Sequence, residues 1–269
     1  MRRSVLRWPS PLVACVALGL PLTGGCAIDE GTAIAEDFQE DWTGAPDVAD
    51  IRTTKNNTLP FSGTASGTLV LEDGTPADRV SARAVQLGRY VARHGSLTGR
   101  ITADGVTITV DADQGRTREV VALWRSLTAD ERVVSGEVSS STWKGTFRWK
   151  AEVAVVDAPG ALTLFDDMVS EGDRHRPLSD VTGVQVDTER WVSPGLSVRT
   201  DDDGNLPTEA IAAYEAVAAR HSVSYANLQS DLAGIRVADR ADQADALKLA
   251  RNAAPGLGDA MTVASDPGA

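Results

Sequence analysis

One pattern of predicted helices and strands occurs twice in the sequence, with an offset of about 127 residues. Each copy opens with a short amphipathic helix whose apolar residues recur every four positions, which predicts a helix lying on a sheet. These residues are Ile34, Phe38 and Trp42 in the first copy and Ala161, Phe165 and Val169 in the second. We therefore expect two similar units of helices and strands.

The same order of elements continues in both copies. A short strand comes next, over residues 48–53 or 181–186. A longer strand then ends at an acidic turn, Asp73-Gly74 or Asp203-Gly204, where glycine supplies the positive φ of a tight turn. A long helix, a hairpin, a third helix and a final strand follow. The residues expected to face the sheet are Ala84, Leu87 and Val91, then Val120, Val121 and Trp124, in the first copy, and Ile211, Tyr214 and Ala218, then Ala246, Leu247 and Ala250, in the second.

Without its first helix and strand, each copy has the order β-α-β-β-α-β, which is the split βαβ or ferredoxin-like plan. The sequence therefore predicts an α+β fold of two tandem ferredoxin-like repeats, each with an extra N-terminal helix and strand. The first repeat is expected over residues 33–157 and the second over residues 158–269. Each is long enough to bury a core of its own.

One segment has no counterpart in the second copy. From Thr142 to Val155 the residues alternate between the two faces of what the pattern predicts to be one long strand. The apolar face carries Trp143, Phe147, Trp149 and Val153, and the basic face carries Lys144, Arg148 and Lys150.

The candidate partner surface consists of Trp143, Lys144, Arg148 and Lys150. In one interpretation the aromatic side chains belong to the core and the basic face is solvated or paired with the acidic body. In another, the basic face binds an anionic glycopolymer or an envelope protein. A third is that an exposed edge of this strand recruits a strand from a partner.

The first 25 residues have the features of a signal peptide. Arg2, Arg3 and Arg7 give a positive start, and the uncharged stretch that follows is shorter than the roughly 20 apolar residues of a membrane span. The run Leu22-Thr23-Gly24-Gly25-Cys26 resembles the lipobox of bacterial lipoproteins. The resemblance implies cleavage before Cys26, lipid such as palmitate on that cysteine, and a tether over residues 26–32.

Cysteine usage agrees with this interpretation. Cys15 and Cys26 are the two cysteines of the sequence, so cleavage before Cys26 leaves a single thiol and no disulfide can form within the exported body. The resemblance places the protein on the outer face of the cytoplasmic membrane, exported by the Sec route. The run from Arg2 to Arg7 also resembles a twin-arginine signal, so export by the twin-arginine route is the alternative.

The tandem units are similar to those of actinobacterial envelope lipoproteins and, more distantly, to the BON-type domains of periplasmic stress proteins.

The exported body is strongly acidic. Its 23 basic and 38 acidic residues give a formal charge of −15, because the signal segment contains three arginines and no acidic residue. This charge argues against nucleic acid as a partner and against broad adhesion to anionic lipid headgroups.

The remaining chemical candidates have structural interpretations. His94 and His221 follow helix ends in the two copies, where a cation stabilises the helix dipole. His175 is expected in a solvated loop, where with Asp173 it could in principle bind a metal ion. The acidic run from Asp201 to Asn205 lacks the spacing of a calcium loop and is predicted to be a turn. No metal site and no cofactor are predicted.

The sequence also lacks the nucleophile-elbow motif Gly-x-Ser-x-Gly and the phosphate-loop motif Gly-x-x-x-x-Gly-Lys. The expectation is therefore a lipid-anchored, non-catalytic binding or scaffolding protein of the cell envelope, attached to the membrane through Cys26. The alternatives are an envelope hydrolase that uses carboxylates and a carrier of lipid or another apolar ligand.

Overall fold

A computed structural model describes residues 30–59, 62–143, 146–170, 175, 178, 181–189 and 192–267. The described part contains six α-helices, two 3₁₀ helices (Arg240–Asp242 and Pro255–Ala260) and eleven strands. In chain order the helices and strands are α1 (Glu30–Trp42), β1 (Val48–Leu59), β2 (Ser62–Leu71), α2 (Ala77–Arg93), β3 (Leu97–Ala103), β4 (Val106–Val110), α3 (Gln114–Thr128), β5 (Val133–Trp143), β6 (Thr146–Val155), α4 (Ala158–Val169), β7 (Val181–Thr188), β8 (Gly195–Arg199), α5 (Thr208–Ala218), β9 (Val223–Gln229), β10 (Leu232–Val237), α6 (Gln243–Ala253) and β11 (Met261–Ser265).

All eleven strands form one mixed sheet, and their order in the sheet is their order along the chain. The members of a hairpin, such as β1 and β2, run antiparallel, and strands joined by a helix, such as β2 and β3, run parallel. In a split βαβ unit another strand lies between the two parallel strands, whereas here they hydrogen-bond to each other directly. The sheet therefore differs from the predicted ferredoxin-like plan, because element order alone does not determine which strands become neighbours.

The order of elements from α1 to β5 recurs from α4 to β11, and β6 lies between the two series. β6 pairs antiparallel with β5 and parallel with β7. The sheet is thus continuous across the predicted boundary at residue 157. The segment predicted as one long strand is divided: Thr142 and Trp143 are the last residues of β5, and β6 begins at Thr146.

Buried residues alternate along the strands with exposed or half-buried ones, because the helices cover one face of the sheet. In β2, Ala65, Leu69 and Leu71 are buried, and the side chains between them are exposed or half-buried. The buried side chains pack against the helices. Gly67 lies in the same row, and a Cβ there would be 2.5 Å from Cε1 of the Phe38 ring. The absent side chain lets α1 approach β2 closely.

The predicted apolar faces agree with the observed core in most helices. Phe38 and Trp42 of α1 are buried and pack against the Tyr90 ring of α2. In α5 the predicted face was displaced by one residue: the buried side chains are Ala210, Ala213 and Val217. The small alanines of α5 point inward, while the larger side chains predicted for the core, Ile211 and Tyr214, are half-buried and Ala218 is exposed.

Candidate functional site: a groove on the helix-free face of the sheet

The second face of the sheet is polar. Its side chains alternate with those of the core and are half-buried or exposed; they include Thr68, Thr98, Arg100, Glu137, Lys150, Gln185 and Arg199. We call this surface the open face and the opposite one the covered face. A sheet that is apolar on one side and polar on the other is typical of a two-layer arrangement with one solvated face.

A groove of about 580 Å³ lies on the open face over strands β5 to β9. Strand residues form its floor, and the loops after β8 and β9 form its rim. Floor side chains include Ser141, Arg148, Lys150, Gln185, Arg199 and Gln229, and rim side chains are Asp201, Asp202, Asp203 and Asp231. Gly183 of β7 also lines the groove, and its missing side chain deepens the floor between Lys150 and β8.

The cations of the floor differ in their partners. Lys150 forms an ion pair with Glu152 of the same strand. Arg148 Nη1 donates to the Asp202 carbonyl oxygen at 2.7 Å, and Arg199 Nη2 donates to Gln229 Oε1 at 2.7 Å. Both arginines thus have neutral hydrogen-bond acceptors, and within the described residues neither forms an ion pair with a carboxylate.

The rim loop is organised by Asp201. Its carboxylate accepts hydrogen bonds from the side chain and backbone of Asn205, both at 2.8 Å, and from the Ser230 hydroxyl at 2.9 Å. These bonds, led by the one from the Asn205 side chain, lower the pKa of the Asp201 carboxyl. Gly204 has a φ of +83° in the same loop. The acidic run is therefore a turn, as the sequence predicted.

Two of the four residues of the predicted partner surface lie in the groove. Arg148 and Lys150 line it. Trp143 is the last residue of β5, its side chain lies outside the described part, and Lys144 lies outside the described residues altogether, as does Cys26. Trp149 of the apolar face is buried, as predicted.

A second polar cluster lies on the covered face, with Asp130 and His175 buried and the other members half-buried. The ring of His175 is fully buried, with Nε2 2.8 Å from Asp130 Oδ2 and Nδ1 2.9 Å from Ser126 Oγ. Arg132 Nη2 lies 2.7 Å from Asp130 Oδ2 and 2.6 Å from Asp167 Oδ2. The hydrogen bonds that Arg132 donates to the Asp130 carboxylate are the main cause that raises the pKa of the Arg132 guanidinium. We refer to these five residues as the junction cluster, because they connect α3, β5, α4 and the segment before β7.

The junction cluster was missed in the sequence, where His175 was expected to be solvated. Arginines and acids surround it in the chain, so no local pattern marks it as buried. In a neutral imidazole that donates from Nε2 to the Asp130 carboxylate, Nδ1 accepts from the Ser126 hydroxyl. Through the contacts of Arg132 with Asp167 and of Asp130 with His175, the cluster links the end of the first series of elements to the start of the second.

The junction cluster contains residue types found in metal and catalytic sites. Asp130, Asp167 and His175 offer ligand atoms within 4.8 Å of one another. The Arg132 guanidinium bridges both carboxylates, and its positive charge opposes a bound cation. Ser126, His175 and Asp130 are also connected in the order hydroxyl, imidazole and carboxylate, the order found where a base activates a serine nucleophile. Ser126, however, lies in the last turn of α3, where the negative end of the helix dipole opposes a developing oxyanion.

The two equivalent histidines have different surroundings. His94 is the C-cap residue of α2, and its ring stacks on Tyr90 with ring centroids 4.3 Å apart. His221 follows α5, and its ring nitrogens lie 3.3 Å from Asp242 and 3.0 Å from Asp245. Both positions are at helix ends, as predicted, and both contacts are within the fold.

Comparisons with protein-family models, with curated proteins and with solved structures give no match for this chain. None of the helices in the described part combines the length and the apolar character required to cross a bilayer.

Proposed function

We propose that this protein is a lipid-anchored component of the cell envelope that binds a partner, without catalysis, through the groove on the open face. The groove itself supports the proposal: it gathers two arginines with neutral partners, two amides and four carboxylates on the side of the sheet opposite the helices. Its volume falls within the roughly 300–1,000 Å³ of ligand sites.

The lipid anchor belongs to the same proposal. Cleavage before Cys26 and acylation of its thiol hold the body at the outer face of the cytoplasmic membrane. Because α1 begins at Glu30, four residues beyond Cys26, a fully extended tether at about 3.5 Å per residue keeps α1 within about 15 Å of the lipid. The −15 charge of the body limits its adhesion to anionic headgroups.

We also infer that the chain is a tandem repeat, with the first copy over residues 33–157 and the second over residues 158–269. The recurrence of the element order from α1 to β5 in the series from α4 to β11 supports this interpretation. β6 then joins the copies, and the groove lies over this joint.

Photo-crosslinking in intact cells tests the groove as a binding site. A photoreactive amino acid at Gln185 lies in the groove, whereas the same amino acid at Thr98 lies elsewhere on the open face. We expect a crosslinked adduct from the Gln185 variant and none from the Thr98 variant. Equal labelling at both positions, or no labelling at Gln185, contradicts the proposal.

The anchor has a separate test. We expect metabolic labelling with an alkyne fatty acid to modify the wild-type protein and not Cys26→Ala. We also expect Cys26→Ala to leave the membrane fraction. Labelling of the Cys26→Ala variant contradicts the assignment of the lipid to this cysteine.

The contacts of Ser126, His175 and Asp130 favour a second candidate function, that of a serine hydrolase. A fluorophosphonate probe separates the two candidates. Modification of the wild-type protein that is lost in Ser126→Ala supports the hydrolase, and an unmodified wild-type protein supports the non-catalytic proposal. The charged and amide groups that line the groove suit neither lipid nor another apolar ligand, so we do not favour the carrier alternative for this site.

A further inference from the structure

We propose that the groove binds an acidic glycan whose negative groups are separated along the chain by neutral sugars. This inference rests on the proposed function and specifies its partner. It follows from the chemistry of the floor, the charge of the rim and the scarcity of apolar anchors between them.

The floor supplies donors for an isolated anion. Arg148 and Arg199 lie on β6 and β8, and each donates a hydrogen bond to a neutral acceptor. A guanidinium has five N–H donors in a planar fork, which suits a carboxylate or phosphate oxygen pair. Neighbouring amides at Gln185 and Gln229 can both donate to and accept from sugar hydroxyls.

The rim restricts how much negative charge the ligand carries. Asp202, Asp203 and Asp231 border the groove next to Asp201, so four carboxylates face three cations. Carboxylates accept hydrogen bonds from hydroxyl groups but repel a second anion at short range. A chain with an acidic group on every sugar meets this repulsion, whereas one with separated acidic groups places neutral hydroxyls on the rim.

A protein partner fits the lining less well. Stable protein interfaces depend on a few buried aromatic or aliphatic anchors that fill pockets. The apolar residues among those lining the groove, Trp149 and Val184, have their side chains buried in the core. Apart from Gly183, the other lining residues have side chains that end in hydrogen-bonding groups, which matches a polyhydroxylated chain.

Titration calorimetry with three defined tetrasaccharides tests the proposal on the full-length mature protein in detergent. Hyaluronan tetrasaccharide carries a carboxylate on every second sugar, tetragalacturonate on every sugar, and chitotetraose on none. We expect the hyaluronan probe to bind most tightly. Arg148→Gln and Arg199→Gln are each expected to weaken its binding about tenfold, the usual effect of losing one charged hydrogen bond.

Two further variants sharpen the assignment. Arg100→Gln is the matched control, because Arg100 lies on the open face outside the groove and pairs with Glu137 at 3.0 Å. We expect it to leave hyaluronan binding unchanged. Asp231→Asn removes one rim charge, and we expect it to improve the binding of tetragalacturonate relative to hyaluronan.

The outcomes separate this inference from the proposed function. If no tetrasaccharide binds and the Gln185 photo-crosslinker captures a protein in cells, the glycan inference fails and the binding function stands. If neither occurs, both fail. Equal affinity for all three tetrasaccharides, or an equal loss of affinity in Arg100→Gln, also overturns the glycan inference.

Discussion

The two faces of the sheet are made from the same strands but serve opposite purposes. On the covered face, side chains such as Leu69, Ile101 and Ile108 are fully buried beneath the helices. On the open face, neighbours in sequence such as Thr68, Arg100 and Thr107 are half-buried and polar. Because adjacent strand residues point in opposite directions, one sequence specifies both surfaces. Substitutions on the covered face should therefore affect folding, and those on the open face should affect binding.

The largest effect is expected from Trp124→Ala. Trp124 is buried in α3, and its Nε1 donates to the Ala103 carbonyl oxygen at 3.1 Å. Truncation leaves a cavity and an unpaired acceptor, so we expect a loss of about 3–5 kcal/mol in the free energy of unfolding, measured by urea denaturation. Thr98→Ala on the open face is the control, with an expected change under about 0.5 kcal/mol. A comparable loss in both variants would remove the distinction between the faces.

The junction cluster extends the covered face with polar groups, and Asp130→Asn tests its contribution. The amide keeps the shape of the side chain but removes the charge that faces Arg132 and His175 in a buried position. We expect a loss of about 2–3 kcal/mol in the free energy of unfolding. Asp50→Asn is the matched control, because the Asp50–Arg52 pair is exposed and such pairs contribute about 0–1 kcal/mol. If Asp130→Asn leaves the free energy of unfolding unchanged, the junction cluster does not stabilise the fold.

Replacing one glycine on each face with alanine compares the two faces through the same substitution. A Cβ at Gly67 would be 2.5 Å from the Phe38 ring in the core, and a Cβ at Gly183 would be 3.2 Å from Cγ of the flexible Lys150 side chain. We expect Gly67→Ala to cost about 1–3 kcal/mol because the ring and α1 must move. Gly183→Ala should change stability by less than about 0.5 kcal/mol, because Lys150 can turn away. The opposite ranking in thermal unfolding would contradict the assignment of α1 to this face.

The smallest effect concerns pH on the open face. The pKa of Asp201 is lowered by its bonds with Asn205, so its contribution to loop stability is present above the usual aspartate pKa. That contribution is lost as the pH falls through the lowered pKa. Asn205→Ala should raise the pKa of Asp201 toward its usual value in an NMR titration. Asn227→Ala, whose side chain contacts Gln229, should leave it unchanged. The same Asp201 pKa in all three proteins would argue against the described loop.

Much of the covered face could be predicted from periodicity. Phe38, Leu87, Trp124 and Phe165 all lie in the core, where spacing along the helices put them. The α5 face was displaced by one residue, because alanines carry little apolar signal and the larger Ile211 and Tyr214 dominated the pattern. Arg148 and Lys150 were assigned to the polar face of β6 by alternation alone, and the structure adds the groove around them.

Other features depend on contacts between residues far apart in the chain. The sequence by itself determined the element types, their repeated order and the two-faced character of the strands, because these follow from local spacing and turn residues. Only the tertiary structure decided that all strands share one sheet in chain order, since pairing depends on which edges meet. It also decided that His175 is buried beside Asp130, 45 residues away, and that the Asp201 loop borders Arg148. Contacts between residues far apart in the chain produce no periodic pattern in the sequence. Both the junction cluster and the groove are built from such contacts.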